Sequence, residues 1–249
     1  MQSLDRAFDI IDLLAHEQHG LKLTDIANEL DLHKSTVYRL ISVLRSRGYV
    51  EKGEETNLYR LGLGFIELSS LYLNKIEMKT EAEPHLRELS RLVGQTVFFA
   101  TMQDHEVVYI DKFEQFNSLR RYSIIGKRRP LYCTALGKAM LLERTDEEIR
   151  DIFRDTVLKR MTDNTITNVA DFVEELRVSR QRGWTRDNEE YELNVQCIAA
   201  PVHDYRNTII AAVSIAWNGS ADDVDIPWAA EHVHSTALHI SRHLGYVGS

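Results

Sequence analysis

The sequence predicts an α+β protein of more than one domain, and three observations carry that prediction. Residues 1–63 read as three helical patterns followed by a short β-hairpin. Two further β-rich hairpins, over 95–113 and 196–217, alternate with helical stretches in the rest of the chain. The length of 249 residues is enough for two compact cores.

Taken in order, the first helical pattern places Leu4, Phe8, Ile11 and Ala15 on one apolar face. Ser3 is the expected N-cap, and Gly20 lies in the loop beyond. The second pattern runs from about Thr24 to Leu30, with Thr24 as its cap and Asp25 in the first turn, where the helix dipole favours an acid. Its buried side is Ile26, Ala27 and Leu30. After Asp31-Leu32-His33 a third helix, about Lys34 to Arg47, turns Val37, Leu40, Ile41 and Leu44 inward. Its open side carries Lys34, Ser35, Tyr38, Arg39, Ser42 and Arg45, and no acid falls within the helix. Val50–Lys52 and Leu58–Leu61 are two short strands that follow Gly48. Two short helices at a tight break, the second basic and rich in hydroxyls, and then a hairpin, make a winged helix-turn-helix.

That arrangement assigns roles to residue types. Arg39 suits a bidentate bond to guanine, and Thr36 or Tyr38 a base edge or thymine methyl. Lys34, Ser35 and Arg45 suit phosphate oxygens, which position a protein without reading sequence. The whole chain carries a net charge of −8, which at first sight argues against nucleic acid. DNA responds to the local field, however, and the acids of residues 1–62 sit mostly on the first helix, at Asp31 and in the hairpin. Sequence-independent affinity is therefore expected to be modest and strongly salt-dependent.

Several blocks are specific beyond their composition. They are Leu4-Asp5-Arg6-Ala7, the run Leu32 to Leu40, Pro130 to Lys138, Asp187-Asn188-Glu189-Glu190, and Cys197 to Val202. Together they resemble the IclR family of bacterial transcription regulators over essentially the whole chain. The resemblance implies a winged helix over 1–63, a linker helix over 64–79, and an α/β effector domain similar to GAF and PAS sensors over 80–249. It implies a homodimer through the N-terminal domains, or a dimer of dimers, on a double-stranded operator. It also implies a small organic acid as effector, held by Thr134, Ala135, Leu136, Asp187, Cys197 and Ser214. The chemistry agrees: a helix start offers free N–H groups to an anion, Asp187 suits hydroxyls, and Ser214 both donates and accepts. Ala216 departs from members that carry a hydroxyl residue there. Leu119–Ser123, Gly126–Tyr132 and Asn164–Thr167 are similar to the branch that answers to sugar acids such as 2-keto-3-deoxygluconate. Repression of a sugar-acid operon follows as the expected output, with an aromatic acid or short ketoacid, or activation, as the alternative.

The second domain reads as a helix over His85–Val93 after a break at Glu83-Pro84, then a hairpin around Gln103-Asp104-His105. Further helices span Ala135–Glu143, a Thr145-x-x-Glu148 capping box, Val169–Arg182 before Gly183, and Trp228–Leu244. The cations Arg120, Arg121, Lys127, Arg128 and Arg129 lie near the expected effector residues in sequence and could help hold an acid, but such a run more often reads as a solvated or subunit-facing edge. Cys133 reads as a small buried apolar residue.

Other functions lack their motifs. The chain has no GxSxG, HExxH or P-loop, so no enzyme chemistry and no cofactor is expected. His232, His239 and His243 share one face of the last helix, but no metal site is expected there. Two cysteines without a CxxC, no signal-peptide pattern and no long apolar run fit a cytoplasmic protein without membrane contact.

Overall fold

The computed structural model describes residues 2–17, 19–73, 77–114, 124–219 and 224–248. The chain divides into two compact units at 76/77.

In the first unit, helices α1 (Gln2–His16), α2 (Leu23–Glu29) and α3 (Lys34–Ser46) precede a two-stranded antiparallel hairpin, β1 (Val50–Lys52) with β2 (Tyr59–Leu61). Ile10, Leu14, Ile26, Val37 and Ile41 form its core. Three expectations need correction. The apolar stripe of α1 that starts at Leu4 is not the packed one, because Leu4 and Phe8 are 63% and 56% exposed while Ile10 is fully buried. The helix carries two apolar stripes, and the one through Ile10 and Leu14 meets the core. Ser3 already lies inside α1 and cannot be its cap. Nor does Thr24 cap α2, which begins at Leu23 after Lys22; the Thr24 hydroxyl instead donates to the Asp25 carboxylate at 3.0 Å. Helix α4 (Gly64–Leu73) closes the unit, with Phe65 against Tyr49 at a ring separation of 5.1 Å.

The second unit begins with α5 (Glu77–Val93). The expected linker range 64–79 is thus shared between α4 and α5, and 74–76 lie outside the described residues. The expected break at Glu83-Pro84 does not occur, since Pro84 sits within α5. Proline costs the helix one hydrogen bond there. Burial of Ala82, Leu86 and Leu89 against the sheet offsets that loss.

A six-stranded antiparallel sheet follows, in the order β5-β4-β3-β8-β7-β6. Its strands are β3 (Thr96–Gln103), β4 (Glu106–Phe113), β5 (Arg128–Pro130), β6 (Thr185–Asn188), β7 (Val195–His203) and β8 (Ile209–Asn218). Alternate residues divide between two faces. Val97, Phe99, Ile198, Val213 and Ile215 meet α5 and α9 (Ile226–His243). Ala100, Ala199 and Ala212 meet the layer of α6 (Ala135–Met140) and α8 (Val169–Arg182). The capping box at Thr145 and Glu148 opens α7 (Asp146–Ile152), and Gly183 closes α8 in the left-handed conformation at φ +79°. The result is a sheet with helices on both faces and a site region under α6.

Candidate functional site

Two sets of residues stand out, one in each unit. The first is the open face of α3. Lys34, Ser35, Tyr38, Arg39 and Arg45 are exposed and Thr36 is half-buried, while Val37, Ile41 and Leu44 point inward. Lys34, Arg39 and Arg45 form no ion pair among the described residues. The N-cap residue His33 makes no side-chain cap bond, so the first N–H groups of α3 stay open to an outside acceptor. Beside it, the hairpin is braced by Arg60 with Glu51 at 3.0 Å.

The second set surrounds a cavity of about 130 Å³. Thr134, Ala135, Leu136, Asp187, Cys197 and Ser214 all line it, although they come from α6 and its N-cap and three different strands. Strand register explains the convergence. Asp187 pairs with Cys197, and Cys197 with Ala216, in one row across the sheet. Ala199, Ser214 and Phe98 form the next row on the same face. Helix α6 covers that face, and it packs tightly on the loop that leads into it: a Cβ on Gly137 would stand 2.3 Å from the Leu131 carbonyl oxygen. Thr134 caps α6 by accepting from the Gly137 N–H at 3.1 Å, and its hydroxyl donates to the Pro130 carbonyl at 2.9 Å. The N–H groups of Ala135 and Leu136 lie in the first turn, where a helix offers no internal acceptor.

The electrostatics of the wall follow from burial. Desolvation pushes the Asp187 carboxyl up to about 7, against the opposing hydrogen bond it accepts from the Glu190 N–H at 2.7 Å. Near neutral pH the group therefore both donates and accepts. Desolvation, reinforced by Asp187, also holds the Cys197 thiol well above its usual range, so it stays a neutral SH group and not a thiolate nucleophile. The Tyr109 hydroxyl is likewise raised by burial.

Behind the wall, Lys138 is fully buried. Its Nζ donates to Glu190 Oε1 at 2.5 Å and to the Arg186 carbonyl at 2.9 Å, tying α6 to the Asp187–Glu190 turn. The turn is held from its other side as well. The hydroxyls of Thr162 and Thr165 donate to the carbonyls of Glu189 and Glu190 at 2.6 and 2.7 Å, and the Asn164 amide donates to that of Asn188 at 3.1 Å.

Sequence reasoning missed Phe98, Tyr109 and Tyr191 on the wall and Lys138 behind it, and it ranked Arg129 as an edge cation ahead of an acid-holding one. Lys138 left a legible signal, a lone cation in the otherwise apolar Ala135–Met140. Arg129 belongs to the run read as a solvated edge. Within that run, Arg128 does pair with Glu106, at 3.0 Å, while Arg129 lines the cavity and stacks on Tyr191 at 4.9 Å. Arg120 and Arg121 lie outside the described residues. His239 and His243 contact His85, with ring separations of 6.1 and 4.8 Å, and His232 packs on Trp228 instead.

Comparison with known proteins bears on both sets of residues. The IclR helix-turn-helix domain matches residues 3–54, and the C-terminal domain of bacterial IclR transcriptional regulators matches residues 70–242. The transcriptional regulator KdgR of Dickeya chrysanthemi is 34% identical over 99% of this chain and 81% of its own length. The regulator XynR of Escherichia coli is 33% identical over 99% of this chain and 98% of its own. The crystal structure of the Thermotoga maritima IclR superposes with a TM-score of 0.84 at 32% identity, covering 99% of this chain and 100% of that one. The α+β fold with an N-terminal winged helix and a C-terminal sensor domain is the one these proteins share. The chain belongs to the IclR family: it is a transcriptional regulator that binds DNA through its helix-turn-helix and takes a small-molecule effector, and it is not an enzyme.

Proposed function

We propose that this regulator represses a sugar-acid catabolic operon and that a polyhydroxy or keto sugar acid in the cavity of the second unit is its signal. The observation that carries the reading is the convergence of Thr134, Ala135, Leu136, Asp187, Cys197 and Ser214, distant in sequence, on one small cavity. Its volume of about 130 Å³ is far below that of a drug-sized site, which suits a small metabolite. Uncharged donors and acceptors at Ser214, Cys197 and the half-protonated Asp187 suit hydroxyl groups. KdgR, the 2-keto-3-deoxygluconate repressor, is among the relatives, and this extends the reading to the class of ligand. The rings of Phe98, Tyr109 and Tyr191 support a second reading, an aromatic acid or short ketoacid.

On the DNA side, Arg39 reads guanine and Tyr38 or Thr36 a base edge or thymine methyl, while Lys34, Ser35 and Arg45 hold phosphates. The active species is a homodimer, or a dimer of dimers, through the first units. Leu4, Ala7, Phe8 and Ile11 of α1 border an apolar depression with Tyr49, Phe65 and Leu68, a face suited to a second copy. Two recognition helices then reach half-sites about one DNA turn, ~34 Å, apart.

A thermal-shift screen of the full chain against sugar acids, short ketoacids and aromatic acids tests the ligand class. A compound that binds only the folded state raises the melting temperature. The expected result is a rise with gluconate-like or 2-keto-3-deoxy acids. A rise with aromatic acids alone would replace the ligand class while leaving the regulator intact.

A further inference from the structure

We propose that Arg129 receives the carboxylate of the effector and thereby selects acids over neutral polyols, leaving the hydroxyls to Asp187 and Ser214. The inference rests on the reading of this cavity as the effector site.

The charges on the wall lead to it. Among the described lining residues Asp187 and Glu192 are acidic, and Arg129 is the one cation. Asp187 is only partly ionised near neutral pH and Glu192 is exposed, so repulsion is moderate, but an anionic ligand beside these carboxyls gains from a facing cation. Lys138 is close in sequence to the wall but is already spent on Glu190 and the Arg186 carbonyl, and it does not line the cavity. Helix α6 has only six residues, and its cap hydroxyl is bonded to Gly137. Its first turn therefore supplies neutral donors and little field.

Arg129 has the geometry for the task. It sits on β5, one edge of the sheet, while Tyr191 follows β6 at the other edge. The guanidinium lies 4.9 Å from the centre of the Tyr191 ring, so the pair spans the face floored by Ser214 and Phe98. Stacking leaves the edge of a guanidinium open for a bidentate carboxylate. Arg129 donates to the neighbouring Arg128 carbonyl at 3.2 Å and makes no ion pair among the described residues. A guanidinium that lines a small cavity and has no ion pair among the described residues is suited to receive a carboxylate.

Calorimetry on the full chain tests this, with gluconate, 2-keto-3-deoxygluconate, pyruvate and 4-hydroxybenzoate as acids and glucitol as a neutral polyol. The wild type is expected to bind at least one acid and to ignore glucitol. Arg129→Met is expected to weaken that acid roughly 10- to 100-fold, the size of a charge-assisted contact, and Arg129→Lys to recover part of the loss. Ser214→Ala is expected to weaken the acid less while keeping the preference over glucitol. If Arg129→Met binds the acid as tightly as wild type while Ser214→Ala weakens it, the cavity is the effector site but Arg129 is not the receptor. If glucitol binds the wild type as well as the acids do, the proposal fails without any variant, which covers the case of a poorly folded Arg129→Met. If none of the acids binds, the reading of the cavity as an acid site falls together with the proposal.

Discussion

Lys138→Met is expected to destabilise the second unit by about 3–5 kcal/mol, because it strands the Glu190 carboxylate in the interior. Lys138 is fully buried and Glu190 nearly so, and one oxygen of that carboxylate, Oε2, already has no hydrogen-bond partner. Desolvation holds the Glu190 carboxyl above its usual range, and Lys138 pulls it back down. Without the lysine that opposition disappears, and Glu190 takes a proton more readily. The loss should therefore be smaller at pH 5 than at pH 8. Adding Glu190→Gln to Lys138→Met should restore much of the stability, since a neutral amide in place of an orphaned charge removes most of the penalty. Thermal or urea melts of the single and double variants at the two pH values measure this. A Lys138→Met protein as stable as wild type at pH 8 would contradict the role assigned to the pair.

The second large effect is a pH dependence centred on Asp187. Its folded-state carboxyl lies at about 7, above the ordinary value of 3.8, and burial is the main cause. The native state therefore binds a proton that the unfolded state has already released, and stability falls as pH rises from about 4 through 7. Between pH 5 and pH 8 this one residue should cost roughly 2–3 kcal/mol. Glu190 is shifted in the same direction and adds to the fall. Asp187→Asn keeps an oxygen for the Glu190 N–H and cannot ionise. The variant should therefore lose less stability than wild type over this range, and urea melts at pH 5 and 8 compare the two. Parallel pH profiles for the two proteins would show that Asp187 is ionised in the native state throughout.

Much of this architecture is legible in the sequence because it is periodic. Helix α3 has one apolar stripe and one basic face, and both lie where the 3.6-residue period puts them. Helix α8 ends at Gly183 because a left-handed residue is needed there, and the sequence marks it with the one residue that adopts that conformation freely. Helix α1 was harder, since two apolar stripes compete and only tertiary packing decides between Leu4 and Ile10. Pro84 misleads for a similar reason: a local rule predicts a break, and burial of Leu86 and Leu89 overrides it. Strands β5 and β6, Arg128–Pro130 and Thr185–Asn188, are short, polar edge strands with no apolar alternation to reveal them.

The cavity is a different case. Its six expected residues came from family resemblance, since nothing in their separate spacings says that Asp187 and Ala135 meet. Strand pairing brings them together only in three dimensions. Arg129 illustrates the limit: beside Arg128 in the sequence it reads as one more surface cation, yet Arg128 pairs with Glu106 and Arg129 faces the cavity.

The account holds that occupancy of the second unit's cavity changes how the first unit binds DNA. The most direct test is fluorescence anisotropy of the full chain on DNA from upstream of its own gene, at fixed salt, with and without a saturating acid that binds by calorimetry. The expected result is an operator affinity shifted about 5- to 150-fold, the range of typical allosteric coupling, with Arg39→Ala losing the specific binding altogether. An operator affinity that does not move while calorimetry shows the cavity filled would contradict the coupling, and with it the account of this protein as an effector-controlled regulator.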